Sequence, residues 1–144
     1  MRYESKKDPV YGVIFIIIIL LILISAAPMF WADEEISLII IIPICTFCIA
    51  VVSFILWIWF NTYYFISDGL LHYKSGPMKG SISIKSIIKV TQNQTMYAGT
   101  KPALARNGLI ITYSKWNELY ISPLLANELI KELKSINKGI KLQK

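Results

Sequence analysis

Two long runs without charged residues constrain this 144-residue chain more than any other feature. They extend from about Val10 to Trp31 and from about Ile36 to Phe60. As a helix, each would measure roughly 30 Å or more, the thickness of the hydrocarbon core of a bilayer. The small remainder of the chain offers too little core to bury both runs. We therefore expect both runs to cross a membrane.

The short link between the runs predicts an antiparallel hairpin. The link, about Ala32–Glu35, is acidic and contains no Lys or Arg. Three Lys and Arg residues precede the first run, and twelve follow the second. Because basic residues favour the cytoplasmic side, we predict a multi-pass protein with both termini in the cytoplasm. Ser25–Ala27 near the end of the first run leaves a cleaved secretory signal as an alternative.

The rest of the chain predicts one small domain that is mainly β. We therefore divide the chain into a transmembrane hairpin over residues 1–61 and a domain over residues 62–144. Asp68-Gly69 predicts a tight hairpin turn between the strands 62–67 and 70–74. A long loop is predicted over Asn93–Lys101. Further strands are predicted at 81–85, 88–92, 103–106, 109–113 and 118–122, with a second hairpin turn at Asn107-Gly108.

The end of the chain changes to a helical period. Ser122 predicts a helix N-cap, Pro123 the first helical position and Gly139 the limit of the helix. One helix after six or seven antiparallel strands would close a small β-barrel or sandwich. The apolar stripe that would face the sheet is Leu125, Leu129, Leu133 and Ile136.

Five short motifs occur in a recognisable order: Tyr64–Leu70, Tyr73–Pro77, Ala103–Ala105, Tyr120–Pro123 and Leu133–Asn137. With these motifs the chain resembles the bacterial PH-like membrane proteins of the YyaB type. The resemblance covers essentially the whole chain. It implies hydrophobic helices followed by a pleckstrin-homology-like domain at the bacterial inner membrane, and it offers no catalytic residues.

Residues with chemical reactivity are few and scattered. Cys45 and Cys48 form a Cys-x-x-Cys pair, but they lie inside the second apolar run, where burial in lipid disfavours the thiolate. His72 is the single histidine, and a catalytic triad or a zinc site needs further groups around it. We therefore predict a protein that is not an enzyme and holds no metal or cofactor.

Basic residues give the strongest functional signal in the domain. From Thr62 onward, twelve Lys and Arg stand against four acidic residues, a net charge of +8 beside an anionic inner leaflet. We predict a membrane-anchored binding module that docks at the inner leaflet or on a membrane partner, through the Asn93–Lys101 loop and neighbouring basic residues. The candidate contacts with anionic lipid or partner are Lys79, Lys85, Lys89, Lys101, Arg106, Lys131, Lys134 and Lys138.

The positive charge of the domain also has two alternative origins. Positive-inside bias and solubility account for it without a specific headgroup pocket. A protein or peptide interaction, such as bacteriocin self-immunity, would make the charge incidental. Nucleic acid is disfavoured as a partner, because Arg106 is the single arginine of the domain and no stacking motif accompanies it.

Overall fold

The computed structural model of the protein describes residues 1–27, 38–96 and 99–143. The chain forms two compact units. One is helical and consists of Pro9–Trp57, and the other is globular and combines Met1–Asp8 with Ile58–Lys144. The predicted acidic link at Ala32–Glu35, and the adjoining ends of both apolar runs, lie outside the described residues.

The helical unit contains α1, Pro9–Ala26, and most of α2, Leu38–Phe60. Both helices are apolar on every face and have a mean hydropathy of 2.9, and none of their spanning residues is buried. Within the described ranges, they are two candidate membrane-spanning helices. This agrees with the prediction from the two uncharged runs.

The first sheet of the globular unit is antiparallel and follows the order β1-β2-β3-β4. Asp68 and Gly69 have φ values of +53° and +72°, as the turn of a two-residue β-hairpin requires, so the predicted turn is confirmed. Gly76 and Pro77 form a second two-residue connection. The strands are β1 Arg2–Glu4, β2 Thr62–Ser67, β3 Leu70–Ser75 and β4 Met78–Ser83.

Strand β1 comes from the segment that precedes the first apolar helix. The sequence-based division grouped residues 1–61 as a hairpin, whereas in the structure Tyr3 pairs with Tyr64 of β2 and is 3% exposed. The Ser5 amide donates to the Thr62 carbonyl at 3.2 Å, which extends this attachment. Three residues of alternating polarity are too few to identify a strand from sequence. The globular unit therefore begins before α1.

The second sheet follows the order β7-β6-β5-β8, in which β8 runs parallel to β5. A 3-10 turn at Ile84–Ser86 links it to the first sheet. The two sheets form a sandwich and not a closed barrel, so one of the two predicted architectures is confirmed. The strands are β5 Ile87–Gln94, β6 Gly108–Tyr113, β7 Asn117–Ile121 and β8 Lys141–Gln143.

Helix α3, Ala126–Ile136, contributes to the same core. Leu129 and Leu133 of the predicted stripe are fully buried, while Leu125 is 46% exposed. The prediction of Ser122 as the N-cap is wrong. The Ser122 hydroxyl accepts a hydrogen bond from the Leu104 amide at 3.2 Å, and the residue before the helix is Leu125.

The prediction of a strand at 103–106 is also wrong, because Ala103–Ala105 is a buried irregular segment. The Tyr120 hydroxyl donates to the Ala105 carbonyl at 2.8 Å and accepts from the Gly108 amide at 2.9 Å. These side-chain hydrogen bonds satisfy backbone groups that a strand would pair with another strand. Asn107-Gly108 consequently leads into β6 and does not close a hairpin.

Candidate functional site

The outer face of the first sheet carries the candidate site. Side chains alternate along a strand, so each strand of this sheet has one buried and one outward set. Tyr64 and Leu71 are fully buried in the core. Tyr63, Phe65 and His72 alternate with them and lie half-buried on the outward side.

Strand register places basic side chains beside these rings. Lys74 lies opposite Tyr63 on one neighbouring strand and opposite Lys79 on the other. The Arg2 guanidinium carbon lies 3.8 Å from the centre of the Tyr63 ring, and the Lys74 Nζ lies 5.8 Å from it. The Phe65 and His72 rings stack with centres 4.6 Å apart. We call this surface the Tyr63 face: Arg2, Tyr63, Phe65, His72, Lys74 and Lys79.

The Tyr63 face combines positive charge with amphipathic rings around a shallow depression of about 340 Å³. Its three cations are accompanied by one carboxylate on the outward side of β1, that of Glu4, which lies across from Tyr63. Lys and Arg donate charge-assisted hydrogen bonds to phosphate and carboxylate oxygens. Tyrosine presents an apolar ring and a polar hydroxyl, which suits the boundary between water and lipid. The surface is therefore chemically complementary to an anionic, partly apolar partner surface.

The start of this sheet is fixed to the last turn of α2. Thr62 follows Phe60 after one residue, and its hydroxyl donates to the Ile58 carbonyl at 2.7 Å. Gly76 has a φ of +54°, and a Cβ there would lie 2.7 Å from Ile58 Cγ1. Glycine is thus required both by the backbone conformation and by the close approach of Ile58. The Tyr63 face consequently begins within a few residues of a candidate spanning helix.

Arg2 reaches this face because Tyr3 anchors β1 in the core. The Tyr3 hydroxyl donates to Glu132 Oε2 of α3 at 2.5 Å. Burial, followed by this hydrogen bond and the negative charge of Glu132, raises the pKa of Tyr3 to about 12. Burial also raises the pKa of Tyr64, the residue paired with Tyr3. Both phenols therefore remain protonated at neutral pH.

The predicted basic residues are divided among several places in the structure. Lys79 belongs to the Tyr63 face, together with Arg2 and Lys74, which are not among the predicted contacts. Lys101 Nζ lies 5.3 Å from the centre of the Tyr120 ring. Arg106 Nε donates to Asp8 Oδ2 at 2.8 Å, joining the N-terminal segment to the rest of the unit. These last two residues make contacts within the domain.

Lys85 lies on the 3-10 turn Ile84–Ser86, where the Ile84 amide donates to the Gly69 carbonyl at 3.0 Å, and Lys89 lies on β5, which follows this turn. The Asn137 side chain donates to the Lys85 carbonyl at 3.4 Å, which places Lys138 near Lys85. Lys89 lies opposite Lys141 of β8. The remaining two candidates, Lys131 and Lys134, are exposed on α3.

The described part of the predicted Asn93–Lys101 loop contacts the rest of the domain at a few points and is otherwise largely exposed. Asn93 and Gln94 complete β5. Met96 is 8% exposed and packs with Ala103 and Tyr120. The Tyr120 amide donates to the Thr100 carbonyl at 3.0 Å. The predicted start of the loop at Asn93 is therefore wrong, and residues 97–98 of the loop lie outside the described ranges.

The architecture and the comparisons agree on the class of protein. Two facing β-sheets and a C-terminal helix, preceded by two long apolar helices, define a PH-like domain with a hydrophobic N-terminal region. The family model Bacterial PH domain matches residues 62–137, more than half of the chain, and the chain belongs to this family. The resemblance predicted from the sequence motifs is confirmed.

One curated relative matches over nearly the full length. The chain is 28% identical over 142 residues to "Uncharacterized protein YyaB" of Bacillus subtilis (strain 168), which covers 97% of this chain and 95% of that protein. No solved structure matches the chain. Strands β1 and β8 lie outside the span of the family match.

Proposed function

We propose that the chain is a non-enzymatic, membrane-anchored binding module, whose Tyr63 face docks on anionic headgroups of the inner leaflet. The observation that supports this proposal most is the position of the cations. Arg2, Lys74 and Lys79 surround aromatic rings on a sheet that starts one residue after a candidate spanning helix. Each basic residue near an anionic leaflet contributes about 1 kcal/mol to binding.

Strand pairing supports a double crossing of the membrane. β1 precedes α1 and β2 follows α2, yet the two strands pair in one sheet. Paired strands must lie on the same side of a membrane, so an even number of crossings separates them. The two apolar helices supply that number. The excess of Lys and Arg near both chain ends supports a cytoplasmic position for these ends.

The surroundings of His72 support a binding role. Its ring stacks on Phe65 with an interplanar angle of 8°, as part of the same aromatic surface. On the neighbouring strand β4, the residue opposite His72 is Ser81. Under this proposal His72 contributes ring surface to docking and performs no proton transfer.

Amine footprinting of the full chain in lipid nanodiscs tests the proposal. The chain is labelled with a water-soluble acylating reagent in phosphatidylcholine discs and in discs that also contain phosphatidylglycerol. We expect labelling of Lys74 and Lys79 to fall about fivefold in the anionic discs, which corresponds to about 1 kcal/mol per residue. Lys131 and Lys134 on α3 serve as internal controls and should change little.

Two further samples sharpen this experiment. About 1 M salt, which shortens the Debye length to about 3 Å, should restore labelling of Lys74 and Lys79. Arg2→Gln should raise their labelling in anionic discs, whereas Lys131→Gln, with the same loss of charge, should not. Equal changes at all four lysines would contradict docking through the Tyr63 face. Labelling of Lys74 and Lys79 that is the same in neutral and anionic discs would contradict docking on anionic headgroups.

A further inference from the structure

A second concavity of the globular unit is lined in part by Lys6, in the segment that precedes α1 in the sequence. It is a cleft of about 270 Å³ whose polar lining includes four carboxamide side chains and one lysine. We call it the Asn93 cleft. The residues that carry the argument are Lys6, Gln92, Asn93, Asn107 and Asn127.

The local backbone brings two of these carboxamides into the cleft. The pairing of β5 with β6 shifts between Gln92 and Gln94, which leaves Asn93 as an extra residue with a φ of +56°. Asn107, just before β6, has a φ of +54°. Asparagine is one of the few residues that adopt the left-handed region readily. Bulges of this kind redirect a side chain and occur frequently beside functional sites.

Three of the four carboxamides of the cleft are available to a ligand, while Asn107 Oδ1 accepts a hydrogen bond from the Thr95 hydroxyl at 3.4 Å. The side chains of Gln92, Asn93 and Asn127 make no hydrogen bond with the part of the chain that the structure describes, and Asn93 and Asn127 are exposed. A carboxamide both donates and accepts hydrogen bonds, so a group of them suits a ligand with hydroxyl groups. A cation would require a lining that only accepts hydrogen bonds, and this cleft does not provide one.

The charge of the cleft favours a single negative charge on the ligand. Among the described residues that line it, Lys6 is the only charged one. A lysine ammonium pairs well with one phosphate oxygen. A ligand with several phosphates would leave most of its charge without a partner.

Lys6 also places the cleft close to the start of α1. It precedes Pro9, the first residue of that helix, by three positions. Three extended residues span at most about 11 Å. Since α1 is a candidate spanning helix, a phospholipid headgroup at the membrane surface lies within reach of the cleft.

We infer that the Asn93 cleft binds a phosphodiester monoanion that carries hydroxyl groups, with Lys6 at the phosphodiester and the carboxamides at the hydroxyls. This inference rests on the proposed position of the domain at a membrane surface, but it concerns a site distinct from the Tyr63 face. The ligand chemistry has two sources, the headgroup of phosphatidylglycerol and a free glycerophosphodiester.

Native mass spectrometry of the full chain in detergent tests the inference. The chain is titrated with phosphatidylglycerol, with phosphatidylmethanol, which has the same charge without headgroup hydroxyls, and with phosphatidylcholine. We expect phosphatidylglycerol to bind about tenfold more tightly than phosphatidylmethanol, the equivalent of one or two hydrogen bonds. Equal binding of these two anionic lipids would overturn the inference.

Two variants test whether the preference for phosphatidylglycerol arises in the Asn93 cleft. Asn93→Gly removes the carboxamide and keeps a residue that tolerates positive φ, so it should abolish the preference for phosphatidylglycerol while the fold persists. Lys6→Gln should weaken the binding of both anionic lipids about tenfold. Lys7→Gln is the matched control, because Lys7 Nζ lies 4.9 Å from the centre of the Phe60 ring. An unchanged preference in Asn93→Gly would contradict the assignment to this cleft.

The last two measurements distinguish the two sources of the ligand, and they distinguish the Asn93 cleft from the Tyr63 face. Displacement of bound phosphatidylglycerol by soluble glycerophosphoglycerol would show that the free diester occupies the cleft. Retention of the lipid would assign the membrane as the source. The double variant Lys74→Gln/Lys79→Gln should keep the preference for phosphatidylglycerol. This preference therefore tests the Asn93 cleft independently of docking through the Tyr63 face.

Discussion

The helical and the globular unit place their apolar side chains in opposite ways. In α1 and α2, large side chains point outward all round, as shown by Ile17, 50% exposed, and Phe47, 70% exposed. In the globular unit, Leu71 and Ile111 are fully buried on strands whose other face is polar or half-exposed. The amount of apolar sequence is high in both units, but the periodicity differs. Periodicity therefore separates side chains suited to lipid from those that build a core.

Polar groups distinguish the two units further. A helix satisfies its backbone by itself, which is why the apolar helices need no buried polar side chains. The globular unit contains a buried hydrogen-bond network around Tyr64, whose hydroxyl donates to the Pro102 carbonyl at 2.6 Å and accepts from the Ser122 amide at 3.1 Å. The Ser5 hydroxyl lies 3.3 Å from the same oxygen. Segments far apart in sequence are therefore joined by specific contacts in this unit.

The strongest test of the comparison removes one large side chain from each unit. Leu71→Ala should lower the free energy of unfolding of the globular unit by about 2–5 kcal/mol, because it leaves a cavity in the core. Ile17→Ala should change it by less than about 0.5 kcal/mol. Urea titration of the full chain in detergent, read by pulsed proteolysis of the globular unit, measures both. Similar losses for the two variants would refute the distinction.

A second test concerns the buried network. Tyr64→Phe should lower the free energy of unfolding of the globular unit by about 1–3 kcal/mol, since it leaves the Ser122 amide and the Pro102 carbonyl without their partner. Tyr63→Phe removes the same hydroxyl from the outward side of the same strand and should cost less than about 0.5 kcal/mol. The same urea titration measures the free energy of unfolding of both variants. A loss at Tyr63 equal to that at Tyr64 would show that the buried network contributes nothing specific.

Local signals predicted much of the first sheet. Asp68-Gly69 demands two positive φ angles, which few residue pairs allow, and this fixed the β2–β3 hairpin. The same turn sets the register that brings Lys74 opposite Tyr63 and His72 opposite Phe65, so four of the six residues of the Tyr63 face were implicit in the sequence. Arg2 gave no such signal, because its position depends on a pairing between residues more than 60 positions apart.

The second sheet was harder to predict because side chains there replace backbone pairing. Tyr120 satisfies the backbone at Ala105 and Gly108, which turned an expected strand into an irregular segment. Ser122 has the residue type of an N-cap, but its hydroxyl is used by Leu104 and Ser5. β8 is three residues long and pairs in parallel, a register that no local pattern encodes. The Asn93 cleft depends on these same long-range contacts.

The smallest effect we predict concerns Tyr3, the residue that tests whether the segment before α1 belongs to the globular unit. Its pKa is about 12 in the folded chain and 10.0 for an unperturbed tyrosine. Below pH 10 both states hold the proton, and stability does not depend on this group. Between pH 10 and about 12 the unfolded state releases the proton first, so the globular unit loses stability as pH rises. Burial raises the pKa of Tyr64 and Tyr73 in the same direction.

Tyr3→Phe should therefore reduce, but not remove, the fall in melting temperature between pH 10 and about 12. Below that window it should cost about 0.5–1.5 kcal/mol for the lost hydrogen bond to Glu132. Glu132→Gln retains the burial, which is the largest cause of the raised pKa, and removes the carboxylate. It should lower the pKa of Tyr3 in the folded chain, so the fall still begins near pH 10 but is smaller and ends at a lower pH. Thermal unfolding of the full chain in detergent measures all three chains, and identical pH profiles would show that Tyr3 is not held in the core by β1.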